Sequence, residues 1–451
     1  MDQDVKISRI LHAGYVFECE GTRILFDPIF ENPFSRNCFA FPNVTFDREK
    51  IKNLQVAAVF ISHFHDDHCS LESLNFLDRK TPIYIYCVFE ELFILIKELG
   101  FINVHSIKIN SPVHIQSFQI IPRRALDEDV DSIFHIKVVG LNILNVVDSW
   151  IDDSTLSQLK KETPWDMVLW PFQTMREIEV LSPSRAMPAS KELPIEWTLQ
   201  LKSLNPRYIV PSACQFIQEK WSWYNHSFFP ISYQQFKDSI KKILPETGVV
   251  RLDPSVSVFL NKSGIRPSDP LSWVQPVGEQ NVDYEYHDDL TPPSTAEIAQ
   301  YFAALTSQQS EIVYDFCRSG LLKKYTALPP SEEIYFKKKR RWRLSVYDHL
   351  GVATHFFFMI EGANIQLVAN HDQPLAWTTE VPLFKLYAAL ELGEALSSMY
   401  VRINDVSFES SIEKEIVDVD IVEDPLVRSL FSGTFGGYQL AQLKHIKGTA
   451  H

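Results

Sequence analysis

Apolar and polar positions alternate at the start of the chain. Val5-Lys6-Ile7-Ser8-Arg9-Ile10 has the period of two that predicts a half-buried strand. Tyr15-Val16-Phe17-Glu18-Cys19 and Thr22-Arg23-Ile24-Leu25-Phe26 repeat it, with Glu20-Gly21 as the turn between them. Val56-Ala57-Ala58-Val59-Phe60-Ile61 is instead a continuous apolar run, which predicts a strand buried on both faces. Residues 70–78 and 89–99 read as helices around a short strand at 82–86. Strands are predicted again at 144–147, 166–172, 207–214, 249–252 and 256–260. Helices are predicted at 153–161, 190–204 and 232–244. Strands flanked by helices predict a layered architecture of sheets covered by helices.

The pattern changes after residue 262. Residues 263–293 contain five prolines and many polar groups, which predicts a linker or extended excursion. Residues 294–451 read as a separate α+β domain. It starts with a helix over 295–322, followed by strand-like runs at 333–336, 342–347, 355–360 and 364–368. Lys337-Lys338-Lys339-Arg340-Arg341 is the one dense basic run. It predicts a solvated edge strand, since lysines commonly protect edges, over an anion-steering patch.

Composition narrows the function classes. A 451-residue chain with 45% hydrophobic residues can bury a large core and more than one domain. Its formal charge is −14 and its pI near 5.5, which argues against bulk nucleic-acid binding. No apolar run has the length of a membrane span, and the start of the chain lacks the apolar core of a signal peptide. The six cysteines (Cys19, Cys38, Cys69, Cys87, Cys214 and Cys317) have no paired spacing. They predict reduced thiols and a cytoplasmic protein.

The candidate chemistry sits directly after the 56–61 run, in Ser62-His63-Phe64-His65-Asp66-Asp67-His68. His63 and His65 are two residues apart, so an extended segment points both to one side. Asp67 and His68 are adjacent, so they diverge and can serve a second ion. The spacing suits a two-metal site. Asp66 is a candidate proton carrier or a solvent-facing carboxylate. Asp148 ends the apolar run Leu144-Asn145-Val146-Val147. A carboxylate at the end of a buried strand needs a partner to offset its desolvation, and a metal ion would supply one.

H-x-H-x-D-H after an apolar strand resembles the signature of the metallo-β-lactamase fold superfamily. His12-Ala13-Gly14 with Arg23-Ile24-Leu25-Phe26-Asp27-Pro28 resembles the opening hairpin of that family, and residues 142–148 its strand ending in a bridging aspartate. The resemblance covers roughly residues 5–262. It implies an αββα sandwich for residues 1–262, an overall α+β class, and an orienting role for Asp27. His12 is as much a structural histidine as a functional one on this reading. Residues 29–50 stand by position on the side of the site, as a loop or lid.

Two departures from the family pattern matter. The resemblance places a histidine about twenty residues before the bridging aspartate, but residues 123–132 hold no histidine and four carboxylates. Glu128 is the candidate replacement ligand, with Asp127 and Asp129 as rivals. His135 is too late for that role. At the place of the last family histidine stand Ala213 and Cys214. His226 is the nearest imidazole downstream, either a ligand that loops back or an exposed histidine.

The expected centre is therefore His63, His65, Asp67, His68 and Asp148, with Glu128 and His226 as further candidates. It would hold two divalent metal ions. Oxygen donors in place of nitrogen shift the preference from zinc toward iron or manganese. Val130-Asp131-Ser132, residues 144–148 and Pro211-Ser212-Ala213-Cys214-Gln215-Phe216 resemble the CMP-N-acetylneuraminate hydroxylase-like branch, as does the 386–402 region. That resemblance implies an oxygenase acting on a small organic substrate with an external electron donor, though the chain has no C-x-H…C-x-x-H pair for a Rieske cluster. A hydrolase of an ester, amide or phosphodiester is the alternative, and a metal-bearing binding protein the third reading. The pattern over 378–390 resembles sterol-carrier-like domains, which implies a lipid- or substrate-binding role for the C-terminal domain. A covering or homodimerising role is equally open.

Overall fold

The computed structural model describes residues 3–126, 131–330, 334–369, 374–405, 420–432 and 436–448. The chain forms two compact units. The first comprises residues 1–175, 189–288 and 442–451, and the second residues 176–188 and 289–441.

The first unit contains two large sheets. In spatial order the eight-stranded sheet runs Ile265–Ser268, Ser257–Leu260, Val5–Arg9, Tyr15–Cys19, Thr22–Phe26, Ala58–Ile61, Ile83–Ile85 and Val104–Ser106. Its pairs are antiparallel as far as Thr22–Phe26 and parallel from there on. The seven-stranded sheet runs Gly248–Val249, Tyr208–Ser212, Met167–Pro171, Leu141–Asn145, Ser132–Val138, Phe118–Arg124 and Val113–Ile115. Its first three pairings are parallel and the rest antiparallel. Apolar strands supply both inner faces. Phe134 of the second sheet packs on Phe26 and Phe60 of the first, with ring centroids 5.2 and 6.0 Å apart. Buried polar contacts fix the two sheets to each other. Tyr15 Oη donates to Ser212 Oγ (2.9 Å) and Arg9 Nη1 to the Pro211 carbonyl (2.9 Å).

Residues 263–288 belong to this unit and are not a linker. Ile265–Ser268 extends the first sheet, and Val274–Pro276 pairs with Val44–Phe46. Pro267 is accommodated because its strand is the outermost one, where a missing N–H costs no ladder bond. Polar and proline-rich composition here marks a sheet edge.

The second unit has a five-stranded sheet in the order Asn364–Val368, Ala353–Glu361, Arg340–Tyr347, Trp377–Pro382 and Arg402–Ile403. Three expectations change. The helix expected over 295–322 is divided, because Ser294 with Glu297 and Thr306 with Gln309 each form a capping box that starts a new helix. The run Ile334-Tyr335-Phe336 is a helical turn. Arg340–Tyr347 is the central strand, so the preceding lysines protect no edge. Its Trp342 is fully buried, stacks on Phe358 (4.7 Å) and donates from Nε1 to Thr379 Oγ1 (2.9 Å).

Among the described residues, no helix is long and apolar enough to cross a membrane.

Candidate metal centre

The candidate ligands follow strands that run parallel to a neighbour. Asp27 follows Thr22–Phe26, the His63–His68 segment follows Ala58–Ile61, and Asp148 follows Leu141–Asn145. Parallel strands place their carboxyl ends at one edge, so these loops meet although 80 residues separate His68 from Asp148. Sites at the carboxyl ends of parallel strands are a general consequence of such topology. Backbone strain gathers at the same edge. His12 (φ 46°), Asp27 (40°), Val147 (62°), Ala213 (52°) and Cys214 (44°) all adopt the left-handed region. For β-branched Val147 this is a costly conformation, held by surroundings that leave the residue fully buried.

His68 is the hub. Its Nε2 lies 3.0 Å from Asp148 Oδ2 and 3.5 Å from Asp67 Oδ2. Its Nδ1 lies 3.2 Å from Asp27 Oδ2. Asp27 is fully buried and also accepts from the Ser62 N–H (2.7 Å) and Ser62 Oγ (2.8 Å). This carboxylate holds the His68 ring with Nδ1 protonated and aims Nε2 at the acidic pair, the usual arrangement behind a metal-binding imidazole. Asp27→Asn is expected to weaken metal binding about 10–100-fold while the fold persists. Equilibrium dialysis with elemental analysis, beside a circular dichroism spectrum, checks this.

His63 is buried, with Nε2 3.9 Å from Asp148 Oδ1 and Nδ1 2.9 Å from Ser62 Oγ. The exposed His65 packs edge-on against it, ring centroids 4.5 Å apart. Asp131 Oδ1 lies 4.0 Å from His63 Nδ1, and Asp131 Oδ2 accepts from Ser149 Oγ (3.2 Å). Glu128 and its rivals Asp127 and Asp129 lie outside the described residues.

His12 is the residue that sequence reasoning left undecided. Its ring is fully buried, and Nε2 lies 2.9 Å from Asp67 Oδ2. His12, Asp67, His68 and Asp148 offer ligand atoms within 4.8 Å of one another. His12 Nδ1 has no hydrogen-bond partner, and Nε2 meets only the Asp67 carboxylate. That is a costly state for buried nitrogens, and a cation at this point would relieve it. The residues therefore fit a metal ion. The sequence carried one signal for this placement: His12 and Asp27 flank one strand hairpin, and the pairing of Tyr15 with Phe26 sets both at its open end. The rings of Phe34 and Phe216 lie 5.6 and 5.7 Å from His12 and wall that side. Phe34 comes from the 29–50 loop, whose Phe39–Ala40 segment pairs with Phe216–Ile217.

His226 is not in this group. It lies with Glu285 and His287, and no contact joins it to His68 or Asp148 in the described structure. Cys214, at the place of the last family histidine, is buried, and burial first and the Asp148 and Asp67 charges next push its thiol well above the ordinary range. His135 is a core histidine. It hydrogen-bonds to Arg123 and Asn142, and burial lowers it to about 4.

The electrostatics are those of charges held close together away from water. Burial opposes ionisation of His68, but the Asp148 and Asp67 carboxylates outweigh it and hold the imidazole well above its usual range. Burial raises Asp148 and Asp67, and the nearby imidazoles overcome this and leave both well below the carboxylate range. Burial, then the charges of His68 and His65, drive His63 well below the ordinary imidazole value. Asp66 moves the other way. Burial and the Asp67 charge raise it to about 6. Two adjacent carboxyls thus differ in their hold on a proton, the arrangement that separates an acid from a ligand.

Residues 6–213 match the model of the beta-lactamase superfamily domain. No curated protein matches the chain. A metallo hydrolase from the archaeon Ignicoccus hospitalis is a similar solved structure, with 17% identity, 57% of this chain and 98% of that one covered, and a TM-score of 0.40. An isothiocyanate hydrolase from Delia radicum gut bacteria has 14% identity, with 57% and 99% covered and a TM-score of 0.40. CmlA, a diiron β-hydroxylase from Streptomyces venezuelae, has 15% identity, with 57% and 54% covered and a TM-score of 0.39. The carboxyl-end cluster and the paired sheets agree with the match of residues 6–213 to the beta-lactamase superfamily domain, and the fold of this part of the chain is that of the metallo-β-lactamases.

Proposed function

We propose that the protein is a dinuclear metal-dependent oxygenase acting on a small organic substrate, with iron as its metal and an external electron donor. His63, His65, Asp67, His68 and Asp148 would hold the ions together with His12. Two irons there would supply electrons to reduce dioxygen beside the substrate. The observation that carries this reading is the donor set. The group His12, Asp67, His68 and Asp148 is half carboxylate, and Ala213 and Cys214 stand where a further imidazole would complete a zinc-type set. Phe34 and Phe216 exclude water beside His12, Asp27 orients His68, and Asp66 can hold a proton near neutral pH.

A second reading, a zinc or manganese hydrolase of an ester, amide or phosphodiester, draws support from His12 itself. That residue adds an imidazole that the spacing of the 63–68 segment does not provide.

Elemental analysis of protein from iron-supplemented cells, with an anaerobic ferrous spectrum beside it, tests the choice. The oxygenase reading expects about two irons per chain and a spectral change on admitting air. About two zincs per chain, no response to air and anaerobic cleavage of a phosphodiester would replace it with the hydrolase.

A further inference from the structure

His226, Glu285 and His287 come together from two separate stretches of the first unit. His226 ends the 3-10 turn Trp223–His226. Glu285 and His287 are two residues apart in a stretch without regular secondary structure. The two imidazole rings lie face to face, centroids 4.5 Å apart and planes within 5°. His287 Nε2 is 3.2 Å from Glu285 Oε1. One ligand atom from each residue falls within 4.8 Å of the others.

The imidazole of His226 is set up for a ligand. Its Nδ1 lies 3.1 Å from the Glu285 carbonyl, an acceptor only, so Nδ1 carries the proton. Nε2 is then the nitrogen with the free lone pair. A backbone carbonyl on one ring nitrogen is the common means of orienting the other toward a metal. The main chain is tied at the same point, where the His287 N–H donates to the His226 carbonyl (2.9 Å).

Both supports are firmly held. Asn225 Oδ1 accepts from the Gln218 N–H (2.7 Å) and Asn225 Nδ2 donates to the Glu219 carbonyl (2.9 Å), which closes the loop carrying His226. On the other side, Asp283 caps the helix Tyr233–Ile243 by accepting from the Tyr233 and Gln234 N–H groups. Tyr284 is buried and donates from Oη to the Phe216 carbonyl (3.0 Å). The flanking residues are thus anchored, while the Glu285 and His287 side chains stay open to solvent, with 77% and 38% exposure.

We propose that His226, Glu285 and His287 form a second metal site, separate from the His68–Asp148 centre, that takes one divalent transition-metal ion of the zinc class. Two imidazoles and one carboxylate select zinc, copper, nickel or cobalt over magnesium and calcium, which prefer all-oxygen shells. Zinc–nitrogen bonds of about 2.1 Å in a tetrahedral shell set ligand atoms roughly 3.4 Å apart, so closure takes a shift of up to roughly 1.4 Å and a turn of one imidazole out of the stack. Rotation of the exposed Glu285 and His287 side chains supplies both, and water fills the remaining positions. The bound ion fastens residues 283–287 to the 218–227 loop, and it needs no role in turnover.

The test is zinc stoichiometry of the full-length protein after equilibrium dialysis, compared with a His226→Gln/His287→Gln variant. The proposal expects the variant to bind one zinc fewer per chain and to keep the remaining metal and its circular dichroism spectrum. Glu285→Gln replaces a direct carboxylate ligand and is expected to lower the affinity about 100-fold or more, and the zinc-dependent rise in melting temperature should shrink with it. Equal zinc content in wild type and double variant overturns the proposal. So does a double variant that loses all its metal, since the three residues would then serve the main centre. Metal identity at the main centre does not enter the comparison, so failure here and failure of the oxygenase reading are separate results.

Discussion

Asp148→Ala is expected to lower the affinity for both ions of the centre by more than about 100-fold, the upper range for loss of a supporting group and less than a direct ligand contributes. The purified variant should carry almost no metal and show no activity. The reason is geometric. Asp148 is the carboxylate that faces both His68 (3.0 Å) and His63 (3.9 Å), so its two oxygens lie between the imidazoles of the ligand loop. It comes from the other sheet, and without it the 63–68 segment has lost its partner across the edge. Elemental analysis after dialysis checks the result, with circular dichroism to confirm folding. Retention of both ions would remove Asp148 from the centre. Asp66→Asn is the useful contrast. Asp66 holds a proton more firmly than Asp67 beside it, so this variant should keep its metal and change the pH dependence of turnover.

Glu31→Gln should raise stability at alkaline pH by roughly 2–4 kcal/mol, from about 1.4 kcal/mol per unit of displaced pKa less the cost of burying an amide. Burial first, with the neighbouring Glu72 charge adding to it against the opposing Ser70 hydrogen bond and Arg36 charge, pushes Glu31 to about 8. One carboxyl oxygen is buried with no hydrogen-bond partner. The unfolded carboxyl titrates near its ordinary value of 4.5. Between 4.5 and about 8 the folded protein therefore holds a proton that the unfolded chain has released. Stability from this group is complete below the lower value and declines as pH rises through the upper one. Urea midpoints measured across that range should fall in wild type and flatten in the variant. Parallel curves would show that Glu31 ionises normally. Glu72→Gln should shift the decline to higher stability at a given pH, because the like charge that faces Glu31 is gone, although His445 then loses its 3.1 Å contact with Glu72.

Much of the site was legible in local pattern. The apolar run at 56–61 forms the strand Ala58–Ile61, and His63, Asp67 and His68 come directly after it. The run at 144–147 leads to Asp148 in the same way, through the strand Leu141–Asn145. Asp27, to which the family resemblance gave an orienting role, accepts from Ser62 and faces His68. Such features depend on the period of a strand and on the residues just past its carboxyl end, and both are properties of a few neighbouring positions.

The contrasting cases are His12 and His226. Each is a single imidazole with no ligand spacing around it, so the sequence alone left both with two readings. The chain's return across the first sheet brings His12 to Asp67, 55 positions away in number, and the left-handed turn at His12 aims its ring there. The 3-10 turn at Trp223–His226 and the irregular segment after Asp283 bring His226 to Glu285 and His287 instead. Residues 263–288 make the same point about boundaries, since prolines and polar residues read as a linker until partner strands claim Ile265–Ser268 and Val274–Pro276. The sequence by itself determined the strands, the ligand loop and the carboxylates that end buried runs, because short-range periodicity and desolvation act within a few residues. Only the tertiary structure decided which lone histidines converge, because their partners are set by strand order and chain reversal, which bring together residues that share no local pattern.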